Sequence, residues 1–228
     1  VNYTVLFGDN CGGNNLPGTL IEGLASGSAF PVGTTQVVSH YNDPSGNGPA
    51  VCAFTVTVND AQLPQIVCPA NISVNTQGLV TAGSATVTPA LCGVNLAYTA
   101  PVGTDNCPIA QTDNIGGLGV GPNYYNYGGV YTETWRVTDA SGNSATCSFT
   151  ITVEDVINPT LTCPEDITVG NDEGICEATV TYANPLGFDN CAGYDITLNG
   201  GSLPSGALFP QGVSTVSFTA TDNAGNTV

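Results

Sequence analysis

The motif Asp-Asn-Cys occurs three times in the 228 residues of this chain, and this repetition restricts the fold more than any other feature of the sequence. The three copies end at Cys11, Cys107 and Cys191. In the first two copies another cysteine follows, Cys52 after 41 residues and Cys147 after 40 residues, whereas the third copy reaches Val228 without one. Repetition at a near-constant spacing is typical of tandem arrays in which one structural unit recurs.

Two further motifs recur and mark the units. Cys-Pro-x-x-Ile begins at Cys68 and again at Cys163, and Phe-Pro-x-Gly begins at Phe30 and again at Phe209. Short acidic linkers that end in proline separate the units, and such linkers favour a stiff rod of domains. The linkers occupy residues 59–64 and 154–159. We expect a partial repeat at 1–60 that lacks its opening strands, a complete repeat at 61–155, and a partial repeat at 156–228 that lacks its final strand.

Short alternating runs of Val, Thr, Ile and Phe dominate the sequence, and no stretch keeps a helical period. In one such run, Phe54, Val56 and Val58 would lie on one face of a strand while the intervening threonines meet solvent. Gly, Pro and Asn interrupt the runs as they do between short antiparallel strands. The sequence therefore predicts an all-β chain of tandem β-sandwiches, with Trp135 buried on the penultimate strand of the middle repeat.

The net charge of −17 comes from 18 acidic side chains against the single basic residue Arg136. Such a surface repels nucleic acid and anionic membranes and attracts cations. We therefore expect no nucleic-acid partner. No run of residues is long and apolar enough to cross a bilayer, so we also expect no membrane insertion. Acidity also keeps extracellular proteins soluble, so charge alone leaves solubility and specific cation binding as alternatives.

Nine cysteines in recurring positions indicate disulfides and an oxidising, extracellular location. Structural zinc is the competing explanation, but the sequence has no Cys-x-x-Cys pair and one histidine, His40. The first partial repeat retains two cysteines, which we expect to bond to each other. The equivalent pair of the middle repeat is assigned by analogy, and the remaining pairs are assigned by elimination. The predicted pairs are Cys11–Cys52, Cys107–Cys147, Cys68–Cys92 and Cys163–Cys176. Cys191 is left over, either because its partner lies beyond the truncation or because it bonds to another chain.

Along the chain stand Cys-Pro-x-x-Ile, a further cysteine, Asp-Asn-Cys, Phe-Pro-x-Gly, Thr-Asp-x-x-Gly-Asn and Cys-x-Phe-Thr-Val. This ordered combination resembles the hyalin repeat (HYR) domain across the whole chain. The resemblance implies a sandwich similar to immunoglobulin and fibronectin type III domains. It also implies an extracellular adhesive or structural protein, of the kind that includes large bacterial surface proteins with many copies. The middle repeat departs from the pattern in a Tyr- and Gly-rich stretch at 121–130 and a longer segment at 75–91.

The motif Asp-x-x-Gly-Asn occurs at residues 43–47, 139–143 and 222–226, and it has the composition of a tight hairpin turn. That structural role can explain the motif by itself. A calcium site is the alternative, because the incoming linker of a sandwich meets the loops that carry Asp-Asn-Cys and Asp-x-x-Gly-Asn. Carboxylates that converge without Lys or Arg repel one another unless a hard cation lies between them, and Ca²⁺ accepts irregular oxygen ligands. The predicted ligands are Asp60, Asp105 and Asp139 at the first linker, and Glu154, Asp155, Asp189 and Asp222 at the second.

Nothing in the sequence favours an enzyme. His40 has no second histidine to orient it, and no Gly-x-Ser-x-Gly or phosphate-binding loop is present. The recurring carboxylates suggest architecture, since one set accompanies each repeat.

The expected function is that of an extracellular structural or adhesive segment, a building block of a stalk or filament. Disulfides and interdomain Ca²⁺ would stiffen it, and its partners would be neighbouring repeats of a longer chain or other copies of the chain. The alternative is an adhesin module that binds carbohydrate or a cell-surface protein. In that case Tyr124, Tyr125 and Tyr127 of the middle repeat would supply the contact surface, because aromatic faces stack on sugars and anchor protein interfaces.

Overall fold

The computed structural model describes residues 1–11 and 13–228, apart from the side chains of residues 109 and 110. It divides into two compact units. The first unit comprises residues 1–64, 105–110 and 139–143, and the second comprises residues 65–104, 111–138 and 144–228. Strands form every regular element of the described residues, so the prediction of an all-β chain of sandwich repeats is confirmed.

The first repeat has a two-stranded sheet, β1–β2, and a three-stranded sheet in the order β3–β4–β5. Phe54, Val56 and Val58 on β5 are half-buried and the threonines between them are exposed, as the alternation predicts. Val37, which faces Phe54 across the ladder, is fully buried. The strands are β1 Leu6–Asp9, β2 Gly13–Pro17, β3 Thr19–Glu22, β4 Gly33–Tyr41 and β5 Ala50–Val58.

The middle repeat contains the largest sheet, in the order β12–β14–β15–β7–β8, with a second sheet in the order β13–β10–β9 and the short pair β11–β6. Its core joins apolar residues from both larger sheets, and Trp135 on β14 is among them and is buried. The strands are β6 Gln65–Ile66, β7 Ile72–Asn75, β8 Val80–Ala82, β9 Thr86–Ala90, β10 Gly93–Ala97, β11 Gly103–Thr104, β12 Ile109–Gly116, β13 Asn123–Asn126, β14 Val130–Asp139 and β15 Ser144–Glu154.

The third repeat consists of strand pairs, β16–β18, β17–β20 and β19–β21. Few of its side chains are buried, and the buried apolar residues are Pro159, Ala178, Pro185, Cys191 and Ala220. The strands are β16 Thr160–Thr162, β17 Glu177–Val180, β18 Leu186–Phe188, β19 Tyr194–Leu198, β20 Ala207–Pro210 and β21 Phe218–Asp222.

The disulfides of the structure replace the predicted pairs. Cys68 bonds to Cys147 and Cys92 bonds to Cys191, with Cα atoms 5.6 and 4.6 Å apart. Cys191 therefore has a partner within the chain, which corrects the expectation of a missing or intermolecular one. The other predicted disulfide cysteines, Cys11, Cys52, Cys107, Cys163 and Cys176, are free thiols in the described part of the chain.

The pair Cys68–Cys147 follows from a parallel contact between β7 and β15, the last strand of the middle repeat. Strand β7 runs parallel to β15 with Ile72 opposite Ile151, and the two partners are 79 residues apart. Cys68 and Cys147 are separated by the same 79 residues, so the bridge continues this register ahead of the first paired residues, with Cys147 on β15 and Cys68 before β7. Elimination failed here because it extended the pair assumed for the first partial repeat to the other repeats, and a parallel pairing of distant strands leaves no local pattern.

Candidate functional site: two acidic clusters at the linkers

The second linker carries a buried group of acidic and amide side chains, which we call the Asp155 cluster: Asp155, Asp189 and Asn190, beside Cys191. Asp155 directly follows β15, and its Oδ1 accepts hydrogen bonds from Thr76 Oγ1 at 2.8 Å and from the Ile157 amide at 3.1 Å. Asp189 directly follows β18, and its Oδ2 accepts the Cys191 amide at 2.9 Å. Asp155 is 7% exposed and Asp189 is 8% exposed, so both carboxylates lie inside the protein.

Three oxygens of this cluster are buried without a hydrogen-bond partner among the described atoms: Asp155 Oδ2, Asp189 Oδ1 and Asn190 Oδ1. Ligand atoms of Asp155, Asp189 and Cys191 lie within 4.8 Å of one another. A buried polar atom without a partner is costly, and two neighbouring carboxylates add repulsion to that cost. The Cys191 sulfur is committed to a disulfide. The unpartnered oxygens therefore fit a hard, oxygen-binding cation such as Ca²⁺ better than a thiophilic metal.

The first linker carries a similar group, which we call the Asp60 cluster: Asp60, Asp105 and Cys107, all within the first unit. Asp60 Oδ2 and Asp105 Oδ1 are buried and unpartnered among the described atoms, while Asp105 Oδ2 accepts the Cys107 amide at 3.0 Å. The adjacent carboxylate of Asp60, burial, and the charges of Asp105 and Asp139 raise the pKa of the Cys107 thiol. The repeats thus build the same arrangement twice, with less burial in the first copy.

The predicted ligands Asp139 and Asp222 lie in the hairpin turns, where neighbouring donors already occupy their oxygens. Asp222 Oδ1 accepts the amides of Ala224 and Asn226, each at 2.8 Å, and its Oδ2 accepts Asn226 Nδ2 at 2.8 Å. Burial alone would raise the pKa of Asp222, but the hydrogen bonds from Asn226 and the backbone outweigh it and lower the pKa. Burial alone would likewise raise the pKa of Asp139, but the corresponding donors from Asn143, Ser141 and Gly142 outweigh it and lower the pKa.

The asparagine that ends the turn motif donates to the linker in the second and third copies. Asn143 Nδ2 donates to the Asp60 carbonyl at 3.1 Å, and Asn226 Nδ2 donates to the Asp155 carbonyl at 3.2 Å. Sequence reasoning missed Asn143, Asn226 and Asn190, although each recurs within a motif that it had singled out. Glu154, also predicted as a ligand, is exposed and belongs to neither cluster.

The tyrosine-rich segment of the middle repeat packs largely on its own domain. Tyr125 is fully buried and donates a hydrogen bond to Glu133 Oε1 at 3.1 Å, so its ring offers no face to a ligand, contrary to the prediction. Tyr124 is exposed, but its hydroxyl donates to the carbonyls of Leu91 and Cys92 at 2.8 and 3.2 Å. Tyr127 is half-buried.

Glu133 is a fully buried carboxylate that the sequence did not reveal as important. Besides Tyr125, it accepts Tyr98 Oη at 2.8 Å and the amides of Leu118 and Gly119 at 2.8 and 2.9 Å. Burial by itself would raise its pKa, but these donors together lower it. The site orders the Tyr- and Gly-rich stretch around one ionised side chain in the core.

These features define a class of protein: tandem disulfide-bonded β-sandwich repeats whose linkers are anchored in acidic loops. The chain belongs to the HYR domain family, whose model matches residues 3–58, 59–153 and 154–228. It is 34% identical over 207 residues to Hyalin of Strongylocentrotus purpuratus and 33% identical over 210 residues to Hyalin of Lytechinus variegatus. Each alignment covers 88% of this chain, which spans 16% and 35% of the two relatives.

A third relative is the sushi, von Willebrand factor type A, EGF and pentraxin domain-containing protein 1 of Rattus norvegicus, 31% identical over 175 residues. That alignment covers 75% of this chain and 4% of the relative. Among solved structures, extracellular cadherin domains 3–6 of protocadherin gamma B2 cover 98% of this chain at 13% identity. The chain covers 60% of that structure, and the TM-score of 0.32 is too low to carry an argument.

Family membership makes the chain an adhesion-related repeat segment of an extracellular or cell-surface protein. A search of the described residues for a helix long and apolar enough to cross a membrane finds none. The bacterial origin suggested by the resemblance stays a prediction.

Proposed function

We propose that this segment is a structural and adhesive building block whose joints are stiffened by Ca²⁺ bound at the linker clusters. One observation carries the proposal: Asp155 and Asp189 are more than nine-tenths buried, each has an unpartnered oxygen, and a carboxylate oxygen of one lies within 4.8 Å of a carboxylate oxygen of the other. Without a cation, folding would have to bury two repelling carboxylates and leave one oxygen of each without a partner. A bound cation would offset the repulsion between the carboxylates and give the unpartnered oxygens a partner, so its binding would stabilise the folded state.

The ligand set argues for a weak extracellular type of calcium site. The Asp155 cluster offers three unpartnered protein oxygens and two negative charges, and water would complete the coordination. Sites with few charged ligands in extracellular modules bind Ca²⁺ with Kd of about 10⁻⁴–10⁻³ M. Mg²⁺ demands a stricter octahedron and holds its water more tightly, so we expect it to bind less well.

Bound Ca²⁺ would join the end of the middle repeat to the Asp-Asn-Cys loop of the third repeat. Asp155 belongs to the linker, whereas Asp189 and Asn190 belong to the loop after β18. A cation shared between them resists bending at this point. The role is mechanical and non-enzymatic, and the partners are neighbouring repeats, other copies of the chain or cell-surface molecules.

Calorimetric titration with CaCl₂, together with thermal unfolding, tests the proposal. We expect heat of binding, a higher unfolding midpoint, and slower proteolysis within residues 154–159 in Ca²⁺. Asp189→Asn should abolish all three effects, whereas Asp195→Asn, which removes an equal charge from an exposed position on β19, should preserve them. Absence of both heat and thermal shift at about 10 mM Ca²⁺, well above the expected Kd, would end the proposal.

The direction in which Asp189→Asn changes stability, with and without Ca²⁺, provides a second control. In EDTA, Asp189→Asn should be as stable as the wild type or more stable, because one repelling charge is gone. In Ca²⁺ it should be the less stable protein. A variant that merely misfolds would be less stable in both solutions.

The tyrosine segment gives little support to the alternative of glycan or protein binding. Tyr125 is buried, and the Tyr124 hydroxyl is committed to two backbone carbonyls.

A further inference from the structure

The bridge between Cys92 and Cys191 joins two different repeats. Cys92 lies in the turn between β9 and β10 of the middle repeat, and Cys191 belongs to the Asp-Asn-Cys loop of the third. The two cysteines are 99 residues apart in sequence, and Cys191 is buried. This bond ties the middle repeat to the third independently of the linker.

Both partners are held in position by their surroundings. Cys92 has a left-handed backbone with φ of 52°, which residues other than glycine rarely adopt. The Tyr124 hydroxyl and the Tyr127 amide donate to the Cys92 carbonyl at 3.2 and 2.9 Å and hold this turn. Cys191 is oriented by its amide hydrogen bond to Asp189. An unfavourable conformation that several contacts maintain suggests that the position of the sulfur matters.

The same two cysteine positions exist in the second and third copies of the motif order. Cys92 and Cys107 are 15 residues apart, and so are Cys176 and Cys191. Cys92 immediately precedes β10, and Cys176 immediately precedes β17. Cys107 and Cys191 each donate their amide to the aspartate two residues earlier and lie beside an acidic linker residue. Cys107 is therefore the equivalent of Cys191, and Cys176 is the equivalent of Cys92.

We propose that HYR repeats of this type are joined covalently one to the next, the second cysteine of one repeat bonding to the Asp-Asn-Cys cysteine of the repeat that follows. Under this rule Cys107 and Cys176 do not bond within their own repeats. Their thiols are the attachment sites for neighbouring HYR repeats, Cys107 on the preceding side and Cys176 on the following side. The bridge is independent of Ca²⁺, so it stands or falls separately from the calcium site.

Formation of each bridge is an oxidation and needs an acceptor, for which a small-molecule disulfide such as oxidised glutathione suffices. The first cysteine thiolate attacks the small disulfide and releases one reduced thiol, leaving a mixed disulfide on the protein. The second cysteine thiolate then displaces the remaining small thiol. Two protein thiols lose two protons and two electrons, and one small disulfide becomes two thiols.

Disulfide mapping of Cys→Ser variants tests the rule. The protein is equilibrated with reduced and oxidised glutathione, denatured in acid, treated with an alkylating reagent, digested and analysed by mass spectrometry. In the wild type we expect a linked Cys92–Cys191 peptide pair, with Cys107 and Cys176 recovered as thiols or glutathione adducts. Cys92→Ser should make Cys191 available to alkylation or glutathione, whereas Cys176→Ser should leave the Cys92–Cys191 pair intact.

Pairing within repeats predicts the opposite result for the same two variants. If Cys92 bonded to Cys107 and Cys176 to Cys191, then Cys176→Ser would release Cys191 and Cys92→Ser would release Cys107. That result would overturn the proposal. The Cys68–Cys147 peptide pair serves as the control for folding, since it should remain linked in every variant.

Discussion

At the scale of single residues, Glu133 shows how the middle repeat accommodates an ionised group in an apolar core. Five donors surround its two oxygens. Two are the backbone amides of Leu118 and Gly119 between β12 and β13, and the side-chain donors are Asn114 on β12, Tyr125 on β13 and Tyr98 directly after β10. The donors compensate for lost hydration, and Tyr125 is the one that the Tyr- and Gly-rich stretch supplies. A buried carboxylate with this many partners stabilises one conformation of the loop.

Glu133→Gln should lower the free energy of unfolding by about 2–4 kcal/mol at pH 7, because the amide offers one acceptor where the carboxylate offers two. The native pKa of Glu133 lies below its ordinary value of 4.5. Its contribution is therefore fully present above the pKa of the unfolded chain and is lost as the pH falls through the lower native pKa. Denaturant unfolding at several pH values should show the gap between wild type and variant closing below pH 4.5.

The exposed substitution Glu177→Gln is the matched control and should change stability little at any pH. A gap for Glu133→Gln that stays constant down to strongly acid pH would contradict this account of the buried charge.

At the scale of single elements, the Asp-x-x-Gly-Asn hairpin does more than reverse the chain. Its glycine adopts the left-handed conformation, with φ of 91° at Gly142 and 92° at Gly225, as the turn composition predicts. The final asparagine then reaches the linker carbonyl. One five-residue motif thus both forms the turn and attaches the linker.

Asn226→Ala should loosen the second linker without unfolding the repeat. The side chain donates to the Asp155 carbonyl and to Asp222, so its loss frees a linker carbonyl and removes one donor from the turn. We expect a loss of about 0.5–1.5 kcal/mol in the unfolding free energy of the third repeat. Hydrogen exchange at the amides of residues 155–158 should become faster.

Asn47→Ala is the control in the equivalent motif position, because Asn47 donates to Asp43 and to no linker atom among the described residues. It should leave exchange at the amides of residues 155–158 unchanged. Equal exchange in both variants would mean that the asparagine does not hold the linker.

At the scale of the whole molecule, the two disulfides overlap and change how far the chain can be stretched. Cys68 and Cys191 are 123 residues apart in sequence, but the shortest covalent route between them runs from Cys68 to Cys92 and across the inter-repeat bridge, a span of 24 residues. Fully extended chain measures about 3.5 Å per residue. The bridges therefore limit this part of the molecule to about 80 Å instead of about 430 Å.

Single-molecule force spectroscopy on the oxidised chain should show this limit directly. Cys92→Ser leaves the Cys68–Cys147 bond and a route of 44 residues from Cys147 to Cys191. The extension between Cys68 and Cys191 should therefore rise to about 150 Å, and reductant should raise it to the full length. Cys176→Ser should behave as the wild type. Identical extension in oxidised wild type and Cys92→Ser would show that the inter-repeat bridge does not carry load.

Much of this protein is determined by patterns that lie close together in sequence. Alternation of apolar residues specifies strands such as β5, because side chains alternate faces every residue. The composition Asp-x-x-Gly-Asn specifies a turn, because only glycine adopts its left-handed position freely. Acidic linkers next to acidic loops already pointed to Asp60 with Asp105 and to Asp155 with Asp189, and the structure brings both pairs together.

Contacts between distant segments were decided only by the tertiary structure. The parallel register of β7 with β15 selects Cys147 as the partner of Cys68. Packing of the third repeat on the middle one selects Cys92 as the partner of Cys191. Glu133 and Tyr125 are both fully buried, and their burial likewise depends on how two sheets meet. Each depends on distances between residues tens of positions apart, and such distances exist only once the whole chain has folded.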